Sequence, residues 1–446
     1  MDELWTNLGP EVINISYTGS LSIIHRVIQI DFSSISAFLT GFSTYPQPLR
    51  LRLRIFTIFF LYKQTHQAVR KGELSTIMKL VFDKADLVKS VGIAMKAVSG
   101  KTTMPILECI LIDASSNVIK FTSNDMELGI ETIVTGMILE RGIVALDAKI
   151  FSEIVRKLPD NQVTIETDEN LVTTITCEKA KFNIPGQSGE DFSYLPILET
   201  SDCVSISQFT LKELIRQTIF SIAANENNKL MTGELFEIKD NTLRVVSLDG
   251  HRIAIRRIEL KDSYPDRKVV VPGKTLNEIS KILSGEMDDQ IDIYFSENHI
   301  MFKFDDTTVV SRLIDGEYFR IDQMLSSDYE TKVTINKKEF LSCIDRATLL
   351  VKEGDKKPII IDIQDGAMEL QINSAMGSMK EEIDINKEGK DIMIGFNPKF
   401  LIDALRVIDD EEISIYLVNP KAPCFIRNEE ESYIYLILPV NFNSVR

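Results

Sequence analysis

The sequence predicts an α+β protein made of three tandem, β-rich repeats that each carry two helices. The prediction rests first on one amphipathic stretch written three times, over residues 148–158, 273–283 and 398–408. Lys149, Lys274 and Lys399 stand 125 residues apart, and so do Glu153, Glu278 and Asp403, and Arg156, Lys281 and Arg406. A base, an acid four positions on and a base three further share one face of a 3.6-residue helix. Phe151, Leu276 and Leu401, with Leu158, Leu283 and Ile408, supply the apolar stripe. A single copy is an ordinary solvated helix face, whereas three in one register are a structural repeat. The second observation is an alternating hairpin ahead of each copy. The third is a separation of charge between helices and strands.

Taken in order, residues 1–77 do not match the rest of the chain. They hold the only Trp, Trp5, and an apolar run, Ile55 to Tyr62, far shorter than the roughly 20 residues that span a bilayer. This stretch is set aside as a non-homologous extension, with Met78 as the expected natural start. Three blocks come after it, over 78–200, 201–326 and 327–446. Each opens with a strand and a capped helix. Leu80-Val81-Phe82 leads to Asp83, Gln208-Phe209 leads to Thr210, and Val333-Thr334-Ile335 leads to Asn336. Asp83, Thr210 and Asn336 are good N-cap residues, each with an acid three positions later. The hairpins come next: 108–113 with 118–123, 233–239 with 242–247, and 358–363 with 367–372, each pair split by turn residues. One more strand leads into the repeated helix, and an acidic turn and a closing pair of strands end each block.

At 446 residues the chain is too long for one core. Five scattered cysteines without a Cys-x-x-Cys pair argue against a zinc site or disulfide framework and fit a reducing cytoplasm. The net charge of −16 speaks against nucleic acid until its distribution is read. Six helical windows, 84–98, 148–158, 211–224, 273–284, 337–352 and 396–408, hold sixteen basic residues against seven acidic ones. Basic helices in an otherwise acidic body imply one positive surface, suited to phosphate contacts that do not read sequence.

No catalytic or cofactor motif stands out. Gly100-Lys101-Thr102 lacks the leading glycine of a phosphate loop, since residue 95 is Met95, and it follows a helix rather than a strand. The acidic turns at Asp288-Asp289 and 409–412 lack the spacing of a calcium loop. The four histidines make no metal-ligand spacing. No cofactor, metal or catalytic residue is therefore expected. An enzyme with tandem domains and a protein-interaction scaffold remain as alternatives.

Thr103-Met104-Pro105-Ile106-Leu107, Ser247-Leu248-Asp249-Gly250-His251-Arg252-Ile253-Ala254, Leu313-Ile314-Asp315-Gly316-Glu317-Tyr318 and Tyr435-Leu436-Ile437-Leu438-Pro439-Val440 resemble the bacterial sliding-clamp family, the beta subunit of DNA polymerase III. The likeness runs in order over 78–443. It implies a non-catalytic processivity factor that encircles double-stranded DNA without reading its sequence. The implied form is a head-to-tail homodimer, a ring of six clamp domains with helices inside and sheets outside. The implied partners are the replicative polymerase, the clamp loader and other proteins with short clamp-binding peptides, and no membrane. The helix face suggests DNA contacts at Lys149, Arg156, Lys274, Lys281, Lys399 and Arg406, and the resemblance adds Lys101, Asn225 and Lys229. It also implies a peptide groove at Met231, Leu248, Gly250, His251, Arg252, Ile253, Phe319, Met324, Asn397, Phe400, Leu436, Ile437, Leu438 and Pro439. Subunit contacts carry over to Phe182, Leu349 and Leu350. Phe319 departs from the proline that many relatives have, and the tail 441–446 runs past the usual ending.

Overall fold

The computed structural model describes residues 77–100, 102–198, 203–224, 228–351 and 357–442. The extension expected over 1–77 falls outside the described residues, apart from Ile77. Block one runs from an opening strand, Met78–Asp83, into helix α1, Lys84–Ala94. Five strands follow, Cys109–Asp113, Ile119–Asn124, Leu128–Val134, Met137–Glu140 and Ile143–Asp147, and then α2, Ala148–Lys157. Three strands close it: Gln162–Thr167, Val172–Cys177 and Ala180–Gln187. Block two opens with Cys203–Ser207 and α3, Gln208–Thr218. Two long runs, Gly233–Leu248 and Arg252–Pro272, lead to α4, Gly273–Ile282, and the closing strands Gln290–Phe295, His299–Phe304 and Thr307–Arg312. Block three has Thr331–Asn336, α5 at Lys337–Thr348, strands Ile359–Gln364, Ala367–Ser374, Gly377–Asp384, Asn386–Gly389 and Ile392–Phe396, then α6 at Pro398–Val407. It closes with Glu412–Leu417, Cys424–Arg427 and Tyr433–Ile437. The closing unit is thus three strands in every block, one more than the sequence suggested.

The opening caps show why the helices start where they do. Asp83 accepts from the Ala85 amide at 2.9 Å, and Asn336 accepts from the Glu339 amide at 3.0 Å, satisfying donors that a first helical turn leaves free. In block two the expectation is corrected. Gln208-Phe209 is not a strand but the first turn of α3, and the cap is Ser207, whose hydroxyl accepts from the Thr210 amide at 3.0 Å. The reason is tertiary. Gln208 is fully buried, with its side-chain oxygen accepting from the Ser284 amide at 2.9 Å and its amide nitrogen donating to Asp305 at 3.2 Å.

The long run Gly233–Leu248 is a hairpin. Glu237 and Arg244 are seven residues apart, about 23 Å along a straight strand. Yet the Arg244 guanidinium donates to Glu237 at 2.7 Å, so the run folds back about Asp240, which adopts a left-handed φ of 55°. In block three the corresponding turn, Asp365-Gly366, joins the directly paired Gln364 and Ala367, with Gly366 at φ 77°.

The blocks are joined through the backbone. Thr307–Arg312 of block two pairs with Leu128–Val134 of block one, setting Val310 opposite Gly129. Tyr433–Ile437 of block three pairs with Arg252–Arg256 of block two, setting Leu436 opposite Ile253. Equivalent bonds finish each seam: the Arg312 amide donates to Glu127 O and the Leu438 amide to His251 O, both at 2.8 Å. The same rule leaves two edges open. Residues 180–185 of block one pair only with Val172–Cys177, and Gly377–Asp384 of block three only with Ala367–Ser374, among the described residues.

Each block has its own apolar core, and a fourth cluster sits at the second seam, around Leu235, Val246, Leu248, Ile253 and Leu436. Block two buries a carboxyl group that has no hydrogen-bond partner among the described residues. Glu234 is fully buried, and burial pushes its carboxyl up to about 8. The nearby Thr218 hydroxyl gives little relief, because it is donated to Leu214 O at 2.6 Å. A raised folded-state value means that stability is complete below the unfolded carboxylate range and falls as pH rises towards about 8. Glu234→Gln should therefore melt close to the parent protein at about pH 5 and several degrees above it at about pH 9, measured by scanning calorimetry.

Candidate functional site

Two surfaces carry the residues singled out by sequence: the row of helices and the outer face of the second seam. The helices pair within each block, and polar contacts carry the row across both seams. Lys96, just after α1, faces Glu278 on α4 at 3.9 Å. Arg216 on α3 donates to Val407 O at 3.2 Å and to Asp409 at 3.0 Å, just past α6. The repeated helices α2, α4 and α6 bury the stripe built on Phe151, Leu276 and Leu401. That packing leaves Lys149, Arg156, Lys274, Lys281, Lys399 and Arg406 exposed, and Lys229 is exposed on the short turn Lys229–Thr232. Lys101 and Asn225 lie outside the described residues.

The exposed bases are not equivalent. Lys274 is bound to Asp125 across the first seam, Lys281 to Glu278 at 2.7 Å, and Arg406 to Asp345 at 3.3 Å. Lys149, Arg156, Lys229 and Lys399 are in no ion pair among the described residues. Those four present the less compensated positive charge.

At the second seam strand alternation divides the sequence-derived groove set in two. Leu248, Ile253 and Leu436 point to one face, where Met231, Phe319, Tyr318 and Ile321 pack on them. Leu438 (37% exposed) and Met324 (45% exposed) border this apolar floor. On the opposite face stand Arg252 and Ile437, which are directly paired. Ile437 belongs to the core of block three and not to the groove. Arg252 is likewise buried. Its guanidinium donates to Asp249 at 3.0 Å, Asp403 at 2.7 Å and Phe220 O at 2.6 Å, and it lies 4.5 Å from the Phe400 ring centre. Both side chains therefore face away from the apolar floor, Arg252 towards Asp249 and Asp403 and Ile437 into the core of block three. His251 and Gly250 are exposed at the tip between the runs, with Gly250 at φ 86°. The His251 ring lies 5.9 Å from Phe400, which follows Asn397, the residue capping α6. Pro439 is half-buried after the last strand. Sequence reasoning missed Asp403 as an ion-pair partner, although it is the third copy of the repeated acid. It also missed Tyr318 and Ile321 as floor residues.

The first seam serves as an internal comparison, because the same bonds place equivalent residues there. Leu248, Ile253, Ile437, Leu438 and Phe400 correspond to Asn124, Gly129, Ser311, Arg312 and Thr275. Asn124 and Gly129 stand where Leu248 and Ile253 line the floor, and Leu195 fills the space over Gly129, while on the other face the Thr275 and Ser311 hydroxyls bond at 2.6 Å. Among the described residues, the partly exposed apolar floor is a feature of the second seam and not of the first.

Phe182 is 39% exposed on the free-edge strand of block one, and Leu349 is 75% exposed after α5. Leu350 packs on the core of block three and lies beside Gly377, at the start of the other free edge.

Comparison with known proteins gives one consistent result. Residues 78–196 match the N-terminal domain of the DNA polymerase III beta subunit, 205–319 its central domain and 322–441 its C-terminal domain. The Beta sliding clamp of Staphylococcus epidermidis is 33% identical over 375 residues, covering 82% of this chain and 99% of that protein, and the Staphylococcus aureus protein matches equally. Among solved structures, the DNA polymerase sliding clamp from Bacillus subtilis is 35% identical with a TM-score of 0.79, covering 82% of this chain and all of that one. A chain from Eubacterium rectale named for the same beta subunit is 72% identical with a TM-score of 0.80, at the same coverage.

Removing one partner of a buried ion network leaves the others unpaired, at a cost of about 3 kcal/mol. Arg252→Met should therefore lower the melting temperature by several degrees and disrupt the seam between blocks two and three, seen as faster amide exchange in 433–437.

Proposed function

We propose that this chain works as a DNA sliding clamp, and the premise is that it belongs to the DNA polymerase III beta subunit family. The observation that carries the mechanism is the repeated seam. Blocks two and three each lay their last strand on the edge of the block before, and among the described residues the last strand of block one and the matching edge of block three have no such partner. A surface that meets a different surface on the next copy is heterologous, and closes a ring when the rotation allows. Two copies joined head to tail would present six blocks, with the helices forming the inner wall.

Charge supports the same arrangement. Lys149, Arg156, Lys229 and Lys399 would face the DNA backbone, and contacts to phosphate position a protein without favouring any sequence. An acidic exterior discourages binding anywhere but in the hole. The apolar floor at Met231, Leu248, Ile253, Phe319, Met324, Leu436 and Leu438 would take short hydrophobic peptides from the replicative polymerase, the clamp loader and other DNA enzymes. Retention then arises from topology, and the tethered enzyme gains effective concentration. The chain itself would do no covalent chemistry. Among the described residues all five cysteines are free, which suits a reducing cytoplasm, and no helix is long and apolar enough to cross a membrane.

The decisive experiment is retention in high salt on closed circular DNA, with loss on linearising it. Release from both forms alike would overturn the ring. Changing Lys149, Arg156 and Lys399 together to Glu should weaken DNA contact at low salt and flatten its salt dependence, while peptide binding stays unchanged.

The internal seams also suggest a register for the proposed subunit contact. Asn183 is the counterpart of Val310 and Leu436, and Ser378 is the counterpart of Gly129 and Ile253. Asn183 should therefore sit opposite Ser378 of a second copy, bringing Phe182 opposite Met379 with Leu349 and Leu350 beside them. Asn183→Cys with Ser378→Cys should cross-link between copies under mild oxidation. Phe182→Cys with Ser378→Cys should not, since those side chains point to opposite faces.

A further inference from the structure

Beside the apolar floor the same sheet face turns polar. Strand alternation puts Leu235 and Glu237 on this face, followed after the turn by Arg244, Val246 and Leu248. Arg244 is directly paired with Arg257, and like charges opposite one another repel. Glu237 offsets part of that charge at 2.7 Å, and Glu431 takes Arg257 at 3.3 Å. The remaining acid comes from elsewhere in sequence. Asp322 accepts from Arg244 at 2.6 Å, and this ion pair forms one wall of a cavity of about 340 Å³.

Asp322 sits in the strap 318–325, which crosses the face and bears two proposed groove residues, Phe319 and Met324. Tyr318 and Ile321 anchor the strap from below, buried in the apolar floor. Around Asp322 the strap makes one short turn, with the Ile321 amide on Phe319 O at 2.9 Å and the Met324 amide on Ile321 O at 2.8 Å. Phe319 and Met324 lie on either side of that turn, so fixing Asp322 fixes the direction of both.

We infer that Arg244 is a positioning residue for the peptide groove, holding through Asp322 the strap that presents Phe319 and Met324. Arg244 itself touches no peptide, because its guanidinium is taken by Glu237 and Asp322. The ligand class is the short apolar peptide proposed for the groove, so the inference rests on that reading. The pair acts by pre-organisation: a strap already in the bound shape loses less freedom when the peptide arrives.

The test is fluorescence anisotropy with a labelled peptide carrying Leu and Phe anchors, on the full chain. Asp322→Asn and Arg244→Met should each weaken binding about tenfold, and the double variant should be no weaker than either alone, as expected of partners in one contact. Asp322→Glu should bind within about twofold of the parent chain. Amide exchange at Ile321 and Met324 should quicken in Asp322→Asn while the melting temperature holds. Ile253→Asp, which alters the floor, separates the two ideas. If the parent chain and Ile253→Asp bind alike, the groove reading fails. If Ile253→Asp alone loses binding and the Asp322 and Arg244 variants match the parent, the groove stands and the positioning role is overturned.

Discussion

The structure depends on one interaction, the antiparallel pairing of a block's last strand with the edge of the preceding block. Main-chain hydrogen bonds make that joint, so it does not require particular side chains. The blocks could therefore diverge in sequence while their junctions stayed superposable. The two seams share the Arg312-to-Glu127 and Leu438-to-His251 bonds at the same 2.8 Å. The continuity of the helix row, the place of the apolar floor and the two open edges all follow from this joint.

The second seam is stiffer than backbone pairing alone would make it. Arg252 ties the tip of block two to α6 of block three through Asp403, with Phe220 and Phe400 on its faces. A buried guanidinium costs desolvation, and it is tolerated because each of its three nitrogens finds an acceptor. On the other side of the same strands an apolar floor could then be left partly open without loosening the joint. Structural polarity and binding surface are thus divided between two faces of one strand pair.

Much of this was legible in the sequence, and the misses share a cause. The 125-residue spacing exposed α2, α4 and α6 because a helix face is a local pattern, and Asp83 and Asn336 worked as caps because capping is local too. Gln208-Phe209 was misread because its helical state is fixed by Ser284 and Asp305, far along the chain. That Arg252 and Ile437 face away from Ile253 and Leu436 could not be read from a motif, which gives neighbours in sequence, whereas the facing of a strand residue depends on register. Lys274 looked like its two counterparts, yet only it meets an acid across a seam, and Asp125 lies 149 positions away.

A strand that is offered at one end of a molecule and accepted at the other is also the recipe for a polymer. Nothing in a head-to-tail joint limits growth except geometry: the last copy must come back to meet the first. In the proposed ring, the angle built into each seam would therefore be what closes the chain on itself rather than into a fibre. Lys179 and Lys181 at one open edge, against Glu381 and Glu382 at the other, give the two ends opposite signs and disfavour joining like to like. A substitution that rotated any seam by a few degrees could leave every local contact intact and still convert rings into open helical filaments. Selection on such a protein would then act on curvature as strictly as on any surface that touches DNA.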